Sequence, residues 1–384
     1  MLSDALAFSA PKLREDILIG SGTIYGARTV YHLKDDATGR MFRVGPKEHF
    51  IISRLNGNTT LGEIATHYTA TFNRALTDDA FASIFTMLAT RQLLEGTFDE
   101  RNRERFRAAT ERQRVAQRGR RYFPFLNPTP LVARLDRYFG FIFNQRLTLL
   151  LLTMIAVALV GLWPARSELI AAWRVSVVDW PIIAAVMLFY WCVTAIHELA
   201  HALTCYHYGG RPNEIGIMWH YLFLVPYTKV DDVVFFPERG PKVYTALAGV
   251  YVNFLFVLPA ALLWWLAPAD SATATFAALT LLVLIGTTLL NLLPFLDLDG
   301  YFALSHSLGL LELRQHAFQY WLQRLRGGAS AVAPYPRHIA RIYQLYGAAS
   351  LIVTILFFVG IVFAGIAGLQ RLWTFLAGVV MVTP

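Results

Sequence analysis

Five apolar segments, each long enough to cross a lipid bilayer, constrain this chain to a helical membrane protein. Of its 384 residues, 55% are hydrophobic, whereas a soluble domain is usually about 45–50% apolar. A further apolar stretch at residues 372–382 is too short for a complete span, so we expect a partial span or an interfacial tail. The predicted spans cover residues 147–163, 181–203, 243–266, 274–296 and 348–369.

Arginine clusters beside the spans predict how the chain is oriented. Residues 101–121 contain nine arginines opposed only by Glu104 and Glu111, and the positive-inside rule places such a segment in the cytoplasm. We therefore attribute the net charge of +8 to membrane topology and anionic lipid, and expect no nucleic-acid partner. Residues 1–20 lack a continuous apolar stretch, so no signal peptide is expected.

The second apolar segment carries the motif His197-Glu198-Leu199-Ala200-His201. On a helix, positions i and i+4 share a face, so both imidazoles can bind one zinc ion. Glu198 lies between them, in the position of a general base that activates water. Ionisable side chains inside a span are costly and are usually functional. The sequence therefore predicts a catalytic metal site toward the cytoplasmic end of the second span.

A catalytic zinc requires a third protein ligand. We favour Asp299, because a carboxylate at the end of the fourth span is costly unless it is paired or bound to metal. Pro294 and Gly300 allow the chain to turn inward there. His207 matches the spacing of the pattern HExxHxxGxxH but lacks its helix-breaking glycine. Asp297 is the other nearby carboxylate, and a pair of solvated acids that bind no metal is the remaining alternative.

Residues 1–100 are predicted to form a small soluble domain in which strands precede helices. We expect strands at residues 24–30 and 41–44, on either side of a polar turn. Thr60 is a predicted helix N-cap, with Glu63 in the capping-box position.

The loop between the second and third spans contains two short apolar stretches, 215–219 and 221–227. This pattern predicts a β-hairpin. Asp231 and Asp232 follow the hairpin, and we expect them to lie in a solvated turn.

Three motifs follow one another along the membrane segment. They are HExxH at 197–201, Ala248-Gly249-Val250-Tyr251-Val252-Asn253, and the stretch 291–300 with the pattern N-x-x-P-x-x-x-x-D-G. Together they resemble the site-2 protease family, the M50-type intramembrane zinc metalloproteases. The resemblance covers about residues 140–305. Val250 departs from it, because relatives often have proline at this position, and this leaves the role of Asn253 less well defined.

The resemblance implies a site with one zinc ion. Its implied ligands and base are His197, His201, Asp299 and Glu198. Asn253 and Asn291 fall at supporting positions near the site. The resemblance also implies that an edge of the hairpin holds an unwound substrate, since a helical peptide bond is shielded from water.

A second pattern involves residues 31–44, Phe50, 55–57 and 60–64. It resembles the PqqD-like family, whose members recognise peptides in ribosomal-peptide-modifying pathways. The resemblance implies a winged-helix-like domain, which binds a leader peptide by adding a strand to its sheet. The alternative is an ordinary small cytosolic domain that stabilises or dimerises the protein.

The sequence thus predicts a polytopic α-helical membrane protein of about five to six spans with a small N-terminal α+β domain. Four regions are expected: a recognition domain at 1–100, a basic linker at 101–140, a metalloprotease core at 141–305, and a basic segment with one or more C-terminal spans at 306–384. We expect the bacterial inner membrane as its location, with the N-terminal domain in the cytoplasm.

The expected function is membrane-embedded zinc metalloendopeptidase activity on a peptide or transmembrane peptide, in the maturation of a ribosomally made peptide. Two alternatives stay open. One is a non-catalytic membrane component that binds or exports modified peptides, although a complete HExxH motif with Asp299 argues against it. The other is regulated intramembrane cleavage of a transmembrane regulator, although the short loops leave no room for a PDZ-like insert.

Overall fold

The computed structural model describes residues 9–97, 104, 106, 108, 122–175, 179–220, 223–331 and 334–382. Within them the chain is mostly helical, with a small N-terminal domain that contains strands. Most of the arginine-rich segment 101–121 lies outside the described residues.

The strands are β1 (Ile17–Ile19), β2 (Thr23–Tyr25), β3 (Arg28–Asp35), β4 (Arg40–Val44), β5 (Tyr122–Leu126), β6 (Glu214–His220), β7 (Phe223–Lys229) and β8 (Leu310–Leu311). The α-helices are α1 (Pro46–Ile52), α2 (Leu61–Phe72), α3 (Asp78–Thr90), α4 (Thr129–Phe139), α5 (Gln145–Leu162), α6 (Arg166–Val175), α7 (Trp180–His207), α8 (Arg239–Leu266), α9 (Ala272–Asn291), α10 (Asp299–Leu308), α11 (Leu313–Ala331) and α12 (Arg337–Val382).

The N-terminal domain is built around β3. Strands β1, β2 and β4 all pair with it in antiparallel register, and helices α1 to α3 share one hydrophobic core with the sheet, including Leu33, Ile51 and Leu88. The predicted capping box at the start of α2 is confirmed. The Glu63 N–H donates to Thr60 Oγ1 at 3.2 Å, and the Thr60 N–H donates to Glu63 Oε2 at 2.9 Å.

The predicted strand at residues 24–30 is wrong, because the chain turns inside it. Gly26 has a φ of +62° and separates β2 from β3. This left-handed conformation favours glycine, which has no Cβ to clash. The prediction of a strand at 41–44 is confirmed by β4.

Five helices are long and apolar enough to cross a membrane: α5, α7, α8, α9 and the first part of α12. Each of these helices overlaps one of the five predicted spans, and together they indicate a membrane protein. The fourth span is shorter than predicted, because α9 ends at Asn291 and residues 292–298 form turns around Pro294, whose ring cannot continue a helix. The last helix extends to Val382, so the backbone of the predicted tail is helical.

Helix α8 lies at the centre of the membrane-spanning half and packs against α7, α9 and α10. Helices α7, α8 and α9 meet at Val193, Val257 and Leu281, which are almost completely buried. In contrast, Leu150 and Val160 on α5 are 57% and 73% exposed. Apolar side chains exposed along a membrane-length helix are suited to contact lipid.

The predicted hairpin is confirmed as β6 and β7, which pair antiparallel. Sequence reasoning missed a third strand, because β5 lies inside the segment predicted to be a linker and pairs with β6. Pro124 interrupts the apolar pattern of this stretch, and a proline within a run makes a strand harder to predict. At Gly216, a Cβ would overlap the carbonyl of Phe123, so glycine is required where β5 crosses β6.

The N-terminal domain contacts the rest of the chain through an interface of paired strands and buried charges, which we call the seam. β2 pairs in parallel with β8. Lys34 Nζ donates to Asp232 at 2.7 Å and 2.9 Å, and both side chains are about 5% exposed. The expectation of a solvated turn at Asp232 is therefore wrong: its carboxylate is buried because Lys34 and the Arg211 N–H, at 3.0 Å, satisfy it.

We expect Lys34→Met to loosen this seam. Removing the ammonium leaves the Asp232 carboxylate buried with fewer donors, which should lower the free energy of opening by about 1–3 kcal/mol. Hydrogen exchange of the β2 and β3 amides measures this loss as faster exchange. Lys47→Met, at an exposed position on α1, is the matched control. Equal exchange in both variants would show that the pair does not hold the seam.

Candidate metal centre

The last turns of α7 place two imidazoles side by side. His197 and His201 are one turn apart and buried, and their Nε2 atoms lie 3.2 Å from each other. This is the shared helical face that the i, i+4 spacing predicts.

Asp299 reaches the same point from another part of the chain. It is the first residue of α10, and its two carboxylate oxygens lie 3.2 Å from His197 Nε2 and 3.4 Å from His201 Nε2. A Cβ at Gly300 would overlap the backbone of Leu292. Glycine at that position therefore lets α10 begin against the end of α9, which directs Asp299 toward α7.

The other two candidate ligands lie in different pairings. His207 Nδ1 is 2.8 Å from Asp136 Oδ1, and its ring stacks on Phe143 at a centroid distance of 3.9 Å. Asp297 accepts from Arg314 Nη1 at 3.0 Å. The structure thus brings together His197, His201 and Asp299, with ligand atoms all within 4.8 Å of one another.

The hydrogen bonding of these groups fits a divalent cation. His201 Nδ1 lies 2.7 Å from the carbonyl oxygen of Thr245. A carbonyl only accepts, so Nδ1 carries a hydrogen, and Nε2 is the ring atom that a metal ion beside Asp299 would contact. Asp299 Oδ2 is buried and has no hydrogen-bond donor among the described residues. Two imidazole nitrogens and a carboxylate that converge in this way form a donor set that zinc accepts.

Glu198 lies at the edge of this cluster. Its Oε1 is 4.0 Å from His197 Nε2, and its side chain is 14% exposed. Its backbone carbonyl accepts a hydrogen bond from Thr228 Oγ1 at 2.8 Å. Because Thr228 belongs to β7, this bond connects the hairpin directly to the turn of α7 that carries the motif.

The two supporting positions lie on the neighbouring helices. Asn253 is on α8 and is 3% exposed, and its Oδ1 has no hydrogen-bond partner in the described part of the chain. Asn291 is the last residue of α9. Sequence reasoning missed Thr245 and Thr228. Thr245 contributes through its backbone carbonyl, which any residue type supplies, and Thr228 lies on a strand with no recognisable motif.

We expect Gly249→Ala to damage the site through sterics alone. A Cβ at position 249 would overlap the His197 ring. Overpacking a tight contact costs about 1–3 kcal/mol, so both thermal stability and metal affinity should fall. Gly286→Ala on α9 is the control, since among the described residues no atom outside the local helix backbone lies within 4 Å of its added Cβ. Unchanged metal affinity in Gly249→Ala would contradict this packing argument.

Fold and site together define a membrane protein with a His-His-Asp cluster suited to a metal ion. The chain is similar to the Bacillus subtilis (strain 168) protein with the name "Putative peptide zinc metalloprotease protein YydH", at 24% identity over 178 residues. The aligned region covers 46% of this chain and 65% of the relative. No protein-family model matches the chain, and no solved structure matches it. The site-2 protease and PqqD-like resemblances therefore stay predictions.

Proposed function

We propose that this chain is a membrane-embedded zinc metalloendopeptidase of the site-2 protease type. One zinc ion would be held by His197, His201 and Asp299. The observation that carries the proposal is the convergence of their ligand atoms beside Glu198, on a helix of membrane-spanning length. The similarity to YydH supports the same chemistry.

In this proposal, the protein residues orient the reactants and move one proton. The chemistry that zinc would supply, if held by these three residues, is Lewis acidity toward the scissile carbonyl and toward water. A carboxylate oxygen of Glu198 accepts the proton of the attacking water and then gives it to the leaving amine. The Thr245 carbonyl holds the tautomer of His201 that keeps Nε2 free.

We infer that the substrate is bound in extended form beside the hairpin. β7 contacts the catalytic helix through the bond from Thr228 to the Glu198 carbonyl. A peptide that adds to a strand there has its amide bonds extended and accessible, whereas a helical peptide keeps them shielded.

The N-terminal domain is proposed to deliver this substrate by binding its leader peptide, as a PqqD-like domain would. Within the described residues, β8 occupies the second edge of β2, whereas β1 and β4 each pair only with β3. β4 has five residues and β1 only three, so the outer edge of β4 is the proposed site of strand addition. Peptide maturation at the bacterial inner membrane, with this domain in the cytoplasm, is the setting we propose.

Mass spectrometry of peptides from host cells that make either wild type or Glu198→Gln tests the proposed activity. Fragments found only with wild type, while the host's peptide gene cluster is expressed, would support proteolysis and identify the substrate. Identical profiles would favour the export alternative. Removing the leader from that substrate tests delivery separately: an unchanged cleavage rate would exclude a role for the leader while leaving the protease assignment intact.

A further inference from the structure

A cavity of about 160 Å³ lies where the N-terminal domain meets the first turns of α8 and the end of α10. Its lining includes cationic and hydrogen-bonding side chains, and among the described residues no aspartate or glutamate lines it. The polar side chains that matter here are those of Ser21, Thr23, Arg239, Lys242, Ser305 and His306.

Lys242 is the unusual group in this cavity. Its side chain is buried, at 8% exposure, and Nζ donates to two neutral oxygens, Ser21 Oγ at 3.1 Å and the Val234 carbonyl at 3.2 Å. Across the residues that the structure covers, no carboxylate forms an ion pair with it. The other buried lysine of the seam, Lys34, has Asp232 as counter-ion. A buried ammonium without a counter-ion is costly, so an anion at Lys242 would offset that cost.

The groups around Lys242 add hydrogen-bond donors rather than negative charge. Arg239 lies at the exposed mouth and donates from Nη1 to the Ser307 carbonyl at 3.0 Å. Burial, and then the charge of Lys242, lower the pKa of His306 to about 4, so its ring is neutral at physiological pH and carries one N–H. The hydroxyl groups of Ser21, Thr23 and Ser305 line the cavity but already donate to backbone carbonyls. The donors left for a ligand are the third N–H of Lys242, the remaining N–H groups of Arg239 and the N–H of His306.

We propose that this cavity binds a small oxyanion of the phosphate class, with Lys242 as its buried charge partner and Arg239 at its entrance. Donors that converge from several directions suit a tetrahedral oxyanion, and the volume is too small for a nucleotide. The anion is either free phosphate or the headgroup phosphate of an anionic phospholipid. When bound, it ties Ser21 of the N-terminal domain to α8. This inference does not depend on the proposed protease activity.

The site is also close in sequence to the metal centre. Lys242 lies one turn before Thr245, whose carbonyl holds His201, and Gly249 one turn further on lies against His197. Anion binding at the start of α8 therefore stabilises the same helix that positions both imidazoles.

The test uses the full chain in phosphatidylcholine nanodiscs, with thermal unfolding followed as sodium phosphate replaces sodium chloride at constant ionic strength. We expect a saturable rise in Tm, with the phosphate affinity of Lys242→Met lower by about tenfold or more. Lys47→Met should behave as wild type. A second arm replaces part of the phosphatidylcholine by phosphatidylglycerol without added phosphate, and a rise in Tm seen only there assigns the anion to lipid.

If Lys242→Met does not fold, Arg239→Gln replaces it, because Arg239 is exposed and its loss leaves no buried charge. The proposal is overturned if neither phosphate nor phosphatidylglycerol raises the Tm of wild type. It is also overturned if Arg239→Gln and any folded Lys242→Met respond to these ligands as wild type does.

Discussion

Replacing Glu198 by glutamine is expected to slow peptide hydrolysis by about 10²–10⁴-fold, the usual contribution of a general acid–base residue. Glutamine has nearly the same size but cannot accept the proton of the attacking water. The hydrogen bond from Thr228 is made to the backbone carbonyl of residue 198, so it survives the substitution. The rate constant kcat should fall while the zinc content stays at one ion per chain.

Glu168→Gln is the matched control for this experiment. Glu168 is exposed in the first turn of α6, and its substitution should leave kcat unchanged. Hydrolysis by Glu198→Gln at the wild-type rate would remove Glu198 from the mechanism. Loss of metal together with activity would instead give it a ligand role.

The second large effect is expected at Asp299, one of the two carboxylates that follow the fourth span. Asp299→Asn removes the charged ligand beside both imidazoles. Changes to the partners of metal ligands typically cost about 10–100-fold in metal affinity, so loss of a direct ligand should cost at least about 100-fold and abolish hydrolysis. Asp297→Asn breaks only the pair with Arg314 and should keep both metal and activity. Zinc titration against a competing chelator measures the difference.

This pair of variants separates the ligand that we favour from its nearest rival. Zinc affinity lost in Asp297→Asn but kept in Asp299→Asn would reverse our assignment. If both variants kept zinc at wild-type affinity, then neither carboxylate would be the third ligand, and His207→Ala would be the next variant to titrate.

The features that the sequence predicted well are those with a strong local signal. A run of about 20 apolar residues is sufficient to mark a span, and Thr60 with Glu63 is sufficient to mark the start of α2. The spacing of HExxH put two imidazoles on one helical face, and Pro294 with Gly300 indicated the turn that brings Asp299 to them. That these residues bind zinc stays a prediction.

The features that sequence reasoning missed depend on contacts between distant parts of the chain. Asp232 follows a hairpin and is next to another acid, so it has the local pattern of a solvated turn. Its burial depends on Lys34, which lies far away in sequence. β8 is only two residues long and is a strand because β2 is beside it. Neither pairing leaves a periodic pattern in the sequence.

The most direct test of the central claim is zinc stoichiometry with X-ray absorption spectroscopy at the zinc edge, on the purified full-length chain in a membrane mimetic. We predict one zinc ion per chain, with two imidazole nitrogens and carboxylate oxygen at about 2.0–2.2 Å. The signal should disappear in a His197→Ala, His201→Ala double variant. A wild-type chain that binds no zinc, or binds it equally in the double variant, would contradict the account.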